Sequence, residues 1–347
     1  MVAPAAARSA LFDNMKLVLI TLVVLGHFAI KAAAPFHSHF LTAAVMVIYS
    51  FHMAAFIFVS GLFSKNLIDR LPARVDRVMR MLALYVALVL AFYAAGEYWL
   101  WPGKASLSFF SQSGLPWYLL AMAEYPVIVA ALSRFDRRLM LPAVVALSLL
   151  GGLDQGLGDG LAFSRVLTYL PFYLAGYYFR PEMLERFTAR WSVRWVTLVG
   201  AVAVTAAMYV KTDALRPYMG LLSARRSYHA SGVSNWEGLV GRGLLVVIAV
   251  FALVAMMAWL PRRVSLLWGA GTRTLQIYVL HYFILYVLWE EEVPQRLNDL
   301  APHAWPLLWI AIVPFIVVIL AFPVFGVFVN WADRLPFKPM IRTEQVR

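Results

Sequence analysis

Apolar residues follow one another along this chain in long runs that are separated by short polar segments. A hydrocarbon core about 30 Å thick needs roughly 20 apolar residues in a helix that crosses it. A helix also satisfies its own backbone N–H and C=O groups, as lipid requires. The pattern therefore predicts an all-α, polytopic membrane bundle of about ten transmembrane helices, near residues 15–34, 44–63, 80–100, 117–133, 139–153, 165–180, 194–211, 239–260, 272–289 and 305–330.

The composition favours a membrane protein and excludes several chemistries. Of the 347 residues, 62% are hydrophobic and 14% are charged, which leaves no room for a separate soluble domain. We therefore expect one integral-membrane domain over 1–347, with a basic cytoplasmic tail from about 332. The first run is long for a signal peptide and many further runs follow it, so we interpret it as a transmembrane helix. The absence of cysteine excludes disulfides, thiolate metal sites and a cysteine nucleophile.

The distribution of basic residues predicts the orientation. If the N-terminus is cytoplasmic, 21 of the 30 lysines and arginines fall in cytoplasmic segments. The positive-inside rule then places both termini in the cytoplasm. The net charge of +12 therefore reflects topology, and we expect no nucleic-acid partner. One long outer loop, roughly 212–238, collects several of the remaining cations and is either functional or a solvated connector.

Three histidines are predicted to lie at nearly one depth in the membrane. Lys16 and His27 are eleven residues apart, which places them on almost the same helix face, about 16 Å apart along the axis. His52 and His281 fall at a similar depth on two other spans. Because desolvation disfavours the charged form, a buried imidazole is available as a general base. Two alternatives to a catalytic role are a histidine that is hydrogen-bonded to a neighbouring helix and a metal site. Glu124, in the fourth span, either orients a histidine or pairs with an arginine.

Six motifs occur in one order along the chain. They are residues 16–27 (Lys-x10-His), 51–61 (FHMAAFIFVSG), the basic run at 74, 77 and 80, 115–119 (LPWYL), 165–178 (R…YLPFYLAGYY) and 271–281 (GTRTLQIYVLH). Together they resemble the integral-membrane acyltransferase-3 family, and most closely its fucose 4-O-acetylase-like branch. Three positions depart from that pattern, because Lys16 replaces the commoner arginine, and Ala54 and Leu84 each replace a proline.

The resemblance implies a reaction, its partners and a location. Members move an acyl group, for which we expect acetyl, from cytosolic acyl-CoA to a hydroxyl of a sugar, glycolipid or cell-envelope glycan at the extracytoplasmic side. The donor would be acetyl-CoA or another acyl-CoA, and no metal is expected. The protein would be a multi-pass protein of a bacterial cell (plasma or inner) membrane, with the lipid bilayer as a partner. Oligomer formation stays open.

The catalytic roles are assigned as hypotheses. His27 acts either as the base that deprotonates the acceptor hydroxyl or as a transient acyl carrier. His52 and His281 orient it, and Lys16, with Asp13 as its expected partner, orients the first helix or contacts the donor. Ser60 is an alternative nucleophile, although Ser-Gly in a span more often marks a close helix contact.

The two substrates are expected at opposite membrane faces. On the inner face, Arg74, Arg77 and Arg80, with Lys16, either bind the phosphates of coenzyme A or serve as inside-positive anchors. On the outer face, a group of aromatic and charged residues either binds the acceptor sugar or belongs to the aromatic belt. This group, with Glu124 counted as a deeper member, consists of Trp117, Tyr118, Glu124, Arg165, Trp236, Glu237 and Arg242.

Two other classes of function remain open at this point. A multi-pass transporter or flippase would use the histidines as a proton relay. A non-catalytic membrane partner of another enzyme would not need His27 at all. The chain shows no internal repeat, which disfavours a transporter built from inverted halves.

Overall fold

The computed structural model describes residues 10–100, 102–111, 114–180, 187–263 and 268–337. Several basic residues used to predict the orientation, Arg8, Arg186 and Lys338 among them, lie outside the described residues. The same holds for most of the predicted cytoplasmic tail, from 338 onward.

The described residues are helical and form no strand, which confirms the all-α prediction. The longer helices are α1 (Ala10–Ala33), α2 (His39–Tyr49), α3 (His52–Phe63), α4 (Lys65–Asp69), α5 (Leu71–Ala95), α6 (Trp117–Leu132), α7 (Arg137–Leu150), α8 (Phe163–Tyr178), α9 (Trp191–Val210), α10 (Asn235–Trp259), α11 (Trp268–Thr272), α12 (Thr274–Glu290), α13 (Val293–Leu300), α14 (Trp305–Ala311) and α15 (Val313–Leu320).

Short helical turns complete the described chain. Four-residue α-helices lie at Thr212–Leu215, Met219–Leu222 and Val327–Asn330. A π-helical turn at Gly96–Leu100 follows α5, and 3-10 turns lie at Gly151–Leu153, Arg216–Tyr218, His229–Ser231, Pro323–Gly326 and Trp331–Arg334.

The number of spans is lower by a length criterion than the sequence predicts. Each of the ten predicted segments falls on helix, but only five described helical stretches, with α2 and α3 counted as one, are both long and apolar enough to cross a membrane unaided. A sixth is added if the helices on either side of the break near 321–322 form one span. The helices α6, α7 and α8 have 16, 14 and 16 residues, which is short of the roughly 20 that a straight crossing needs. Ten spans and cytoplasmic termini therefore stay predictions.

The chain divides into two compact units. The first consists of the described parts of Met1–Val59, Arg180–Arg216 and Leu245–Gly326, and the second of those of Ser60–Phe179, Pro217–Leu244 and Val327–Arg347.

In the first unit, α1 is the central helix and packs against α2, α11, α12 and α15. Two glycines allow this close approach. A Cβ atom on Gly26 would lie 2.9 Å from the Tyr49 ring, and one on Gly271 would lie 2.2 Å from the Asp13 carbonyl oxygen. The buried indole of Trp309 donates a hydrogen bond of 2.9 Å to the carbonyl oxygen of Phe28. These contacts hold the His27 segment of α1 between neighbouring helices.

In the second unit, α5 packs against α6, and α8 packs against both α6 and α7. The residues Ser60 and Gly61 lie where α3 meets this bundle. The Ser60 hydroxyl is 3.0 Å from the Tyr118 hydroxyl, and a Cβ atom on Gly61 would lie 2.2 Å from the Tyr173 carbonyl oxygen. This geometry supports the close-contact interpretation of the Ser-Gly pair.

Gly61→Ala is expected to destabilise the protein, because the added methyl group would collide with backbone, which cannot rotate away. Overpacking of this kind costs about 1–3 kcal/mol, and we expect a clearly lower melting temperature in detergent. Gly243→Ala is the matched control, since nothing lies within 4 Å of its added methyl group. Equal melting temperatures for the two variants would contradict the contact.

Candidate active site

Two histidines from distant parts of the sequence form a pair in the first unit. The Nδ1 atom of His27, on α1, lies 2.9 Å from the Nε2 atom of His281, on α12. The two rings are stacked, with centroids 5.1 Å apart and planes 15° apart. The contact joins residues 254 positions apart in the chain. The pairing that shared depth suggested for these two histidines is therefore present.

The hydrogen bonds of His281 determine which nitrogen of His27 carries a lone pair. The His281 Nδ1 atom lies 3.0 Å from the carbonyl oxygen of Ile277, which can only accept, so Nδ1 carries the proton. In a neutral ring the Nε2 atom of His281 is then the acceptor, and His27 donates to it from Nδ1. The Nε2 atom of a neutral His27 is left unprotonated, as a general base requires.

The two histidines differ in exposure. The side chain of His281 is 0% exposed, whereas His27 is partly exposed. Of the two, only His27 therefore has exposed surface that a reactant can contact, and His281 is placed to orient it.

A row of aromatic residues and one cation extends from the pair, and the sequence analysis missed it. The Tyr282 ring is edge-on to His27, with centroids 5.2 Å apart, and contacts Tyr286 at 5.1 Å. The Nζ atom of Lys31 lies 4.9 Å from the Tyr286 ring and 4.7 Å from the Trp289 ring. The signal was present, since Lys31 follows His27 by four residues and the aromatic residues recur along one face of α12.

Lys16 forms the expected ion pair near the start of α1. Its Nζ atom lies 2.5 Å from Asp13 Oδ1, and Asp13 is fully buried. Beside it, the Asn14 amide donates to the carbonyl oxygens of Pro261 and Arg263, at 2.9 and 3.0 Å. These bonds anchor the beginning of α1, which supports the orienting role of Lys16.

His52 is buried in the same unit and is held by its own helix turn. Its Nδ1 atom lies 2.7 Å from the Ile48 carbonyl oxygen and therefore donates to it. Its ring lies against Tyr49, with centroids 5.0 Å apart, and Tyr49 in turn covers Gly26. His52 is thus placed to support α1 through Tyr49.

The three predicted donor-binding arginines lie at the start of α5, in the second unit. Arg77 is exposed. Arg80 lies 3.5 Å from Asp76 and 3.9 Å from Asp333. Arg74 has non-helical backbone angles inside the helix, with φ −123° and ψ 17°. Because Arg77 is exposed and the other two are only partly exposed, its guanidinium is the most accessible of the three to a phosphate.

Two of the predicted acceptor-binding residues are buried arginines of the second unit. The Arg165 guanidinium lies 4.8 Å from the Trp117 ring, and its Nε atom donates to the Ser223 carbonyl oxygen at 3.3 Å. Arg242 donates to the Ser148 carbonyl oxygen at 3.1 Å and lies 4.8 Å from the Tyr228 ring.

The ring of Tyr169 is stacked on Trp117, with centroids 6.0 Å apart. Ser148, whose carbonyl oxygen accepts from Arg242, also donates through its hydroxyl to the carbonyl oxygen of Thr168, three residues after Arg165 on α8. An acceptor site that includes Trp117, Arg165 and Arg242 stays a prediction.

Other predicted acceptor-binding residues have local structural contacts. Glu237 accepts hydrogen bonds from the Ser234 backbone and hydroxyl, at 2.9 and 2.7 Å, and Ser234 accepts one from the Glu237 backbone. This is a capping box at the start of α10, and its Ser-x-x-Glu spacing was readable in the sequence. Trp236 is 73% exposed beside it. Tyr118 is buried and pairs with Ser60.

Glu124 follows neither of its two predicted roles among the described residues. It is half-buried, its Oε2 atom has no hydrogen-bond partner there, and no arginine or histidine in that part of the chain lies within ion-pair distance. The described residues also contain no group of three histidines, aspartates or glutamates that could hold a metal ion.

A model of one family, described as an acyltransferase domain of type 3, matches residues 10–331. That range contains every helix named above. No curated protein matches the chain, and no solved structure does.

Proposed function

The chain belongs to the acyltransferase-3 family, and we propose from this membership that it moves an acyl group from acyl-CoA to a sugar hydroxyl. Its apolar helices make it a membrane protein and its family makes it an acyltransferase. We further propose acetyl-CoA as the donor, and a sugar or glycolipid on the extracytoplasmic side of a bacterial plasma membrane as the acceptor. The motif pattern favours the fucose 4-O-acetylase-like branch.

The observation that carries the proposal is the His27–His281 pair. A buried histidine that donates to its own helix turn lies 2.9 Å from a partly exposed one, and this bond puts the Nδ1 proton of a neutral His27 toward His281. The Nε2 atom of His27 is then the basic nitrogen. A general base contributes typically a hundred- to ten-thousand-fold to a rate.

In the direct mechanism, the acceptor oxygen attacks the thioester carbonyl carbon while His27 Nε2 takes its proton. The C–S bond then breaks, the new C–O ester remains, and His27 returns the proton to the leaving thiolate. In the two-step mechanism, His27 Nε2 itself attacks the thioester carbonyl carbon, the C–S bond breaks, and coenzyme A leaves as a thiolate that takes a proton from water. The acceptor oxygen then attacks the acyl carbon, the C–N bond breaks, and the hydroxyl proton passes through the released Nε2 atom to water. In both mechanisms, His281 accepts a hydrogen bond from the Nδ1–H group of His27, and this bond stabilises the imidazolium or the acylated ring.

We propose that the cationic start of α5 binds the phosphates of coenzyme A, with Arg77 as the main contact. Arginine suits this role because its guanidinium binds phosphate oxygens in pairs.

Arg77→Gln is expected to raise KM for acyl-CoA about ten-fold and to leave kcat nearly unchanged, because a bond that is equally strong in ground and transition states affects binding alone. Steady-state kinetics with varied donor concentration measures this. Arg138→Gln removes the same charge from another exposed position and is expected to leave KM unaltered. An equal rise in KM for both variants would contradict a direct contact and would indicate that Arg77 attracts the anionic donor only through the overall positive charge.

Release of coenzyme A thiol tests the proposed activity. Purified protein in detergent or in vesicles is incubated with acetyl-CoA, and free thiol is measured with and without added sugar acceptors. The proposal expects thiol release that depends on His27. Sugar flux across vesicles without thiol release would favour the transporter alternative and would overturn the proposal.

A further inference from the structure

Arg165 and Arg242 are buried charges inside an apolar bundle, only 6% and 3% exposed. Burying a guanidinium is costly unless an anion or a full set of acceptors compensates it. The partners of these two arginines therefore indicate whether the protein alone compensates their charges or whether a ligand does.

Arg242 lacks a counter-charge. One of its terminal nitrogens donates to the Ser148 carbonyl oxygen, while the other, Nη2, is buried without a hydrogen-bond partner. No carboxylate among the described residues lies within 4 Å of it. Tyr228 offers its ring face, at 4.8 Å, and a neutral hydroxyl, and neither supplies a negative charge. The side chain thus retains hydrogen-bonding capacity that the described protein does not use.

Arg225, on a loop of the same unit, shows how a protein carboxylate can balance the charge of an arginine. Arg225 binds the carboxylate of Asp159 through two bonds, of 3.1 and 2.7 Å. This hydrogen-bonded pairing raises the pKa of Arg225. The contrast with Arg242 lies within the second unit, where Arg165 donates to Ser223, two residues before Arg225, and Arg242 donates to Ser148.

We propose that Arg242, with Arg165 beside it, binds an anionic group of the acceptor, so that the acceptor is an acidic or phosphorylated sugar rather than a neutral one. The inference rests on the proposed function, because only an acyl-transfer reaction makes the bound sugar an acceptor. A carboxylate or phosphate would supply the two oxygens that a guanidinium fork binds side by side. The expected acceptors are thus uronic-acid glycans and sugars linked to phosphate.

Binding to purified protein tests the inference without the reaction. Methyl β-glucuronide and glucose 1-phosphate are the anionic probes, methyl β-glucoside is the neutral match, and coenzyme A is added as a competitor. A charge-assisted hydrogen bond contributes enough for about a ten-fold preference, so we expect at least one anionic probe to bind that much more tightly than the glucoside. Which of the two prevails distinguishes carboxylate from phosphate.

Variants locate the preference. Arg242→Gln is expected to abolish it, and Arg242→Lys to weaken it several-fold, because lysine keeps the charge and loses the fork. Arg226→Gln is the matched control, since this exposed arginine on the same loop loses the same charge. If Arg242→Gln does not fold, the lysine variant and the wild-type comparison decide.

Three results would overturn the inference: equal affinity of the wild type for glucuronide, phosphate and glucoside; an anion preference that survives in Arg242→Gln; or competition by coenzyme A, which would assign the cluster to the donor. Thiol release by the wild type is measured separately. Its absence would refute the proposed function and leave the anion preference to stand or fall by itself.

Discussion

His27→Ala is expected to lower acyl transfer by about a hundred- to ten-thousand-fold, the range of general base catalysis. The variant removes the proposed base, His27 Nε2, and leaves the remaining residues of the site in place. The measurement is thiol release from acetyl-CoA by purified protein, together with mass spectrometry of the acylated product. A second variant, His27→Asn, keeps a donor for His281 and removes the base, so it is expected to fold normally and to be as inactive.

His303→Ala is the matched control, because it removes an exposed histidine from another part of the first unit. Its activity is expected to equal that of the wild type. Turnover within three-fold of wild type in both His27 variants would contradict the role of this residue. It would also restore the hypothesis of a non-catalytic partner.

The second large effect is expected at His281, which is a positioning residue. His281→Leu removes the acceptor that holds the Nδ1 proton of His27, so the ring can turn or take the other tautomer. We expect kcat to fall about ten- to a hundred-fold, in line with the loss of other orienting contacts to a functional histidine, while KM for the donor stays unchanged.

His281→Gln separates positioning from packing. Its side-chain oxygen can still accept from His27, so it is expected to recover a substantial part of the kcat that His281→Leu loses. Melting temperatures of both variants monitor folding, since His281 is fully buried. A glutamine variant as inactive as the leucine variant, with both folded, would assign His281 to packing rather than to the orientation of His27.

The pairing of His27 with His281 could be predicted from sequence only as shared depth. Rise per residue places both histidines at one level, because every helix in a membrane starts from a similar plane. It does not specify which helices are neighbours. The contact depends on how α1 meets α12, which the close approach of Gly271 to Asp13 helps to determine.

The acceptor residues show the same division. Trp117, Arg165 and Arg242 were grouped because the predicted topology puts them at one face, and the structure places Arg165 against the Trp117 ring and buries Arg242 in the same unit. Glu237 was grouped with them for the same reason, yet its carboxylate caps α10. Position along the chain cannot distinguish a buried arginine from a helix-capping glutamate, because the two kinds of residue are predicted at the same membrane level. The contacts with neighbouring residues make the difference.

By itself, the sequence determined that this protein is an all-helical membrane protein with ionisable residues on its first helix, because local composition is enough to specify a helix in lipid, where the backbone must bond to itself. The acyltransferase assignment came from the resemblance of its motifs to a known family. Only the tertiary structure decided that His27 is the partly exposed histidine of its pair, which of its nitrogens carries the proton when the ring is neutral, and that no described carboxylate lies beside Arg242. Tautomer, exposure and charge balance are properties of neighbours, and for these residues the neighbours lie tens to hundreds of positions away in the chain.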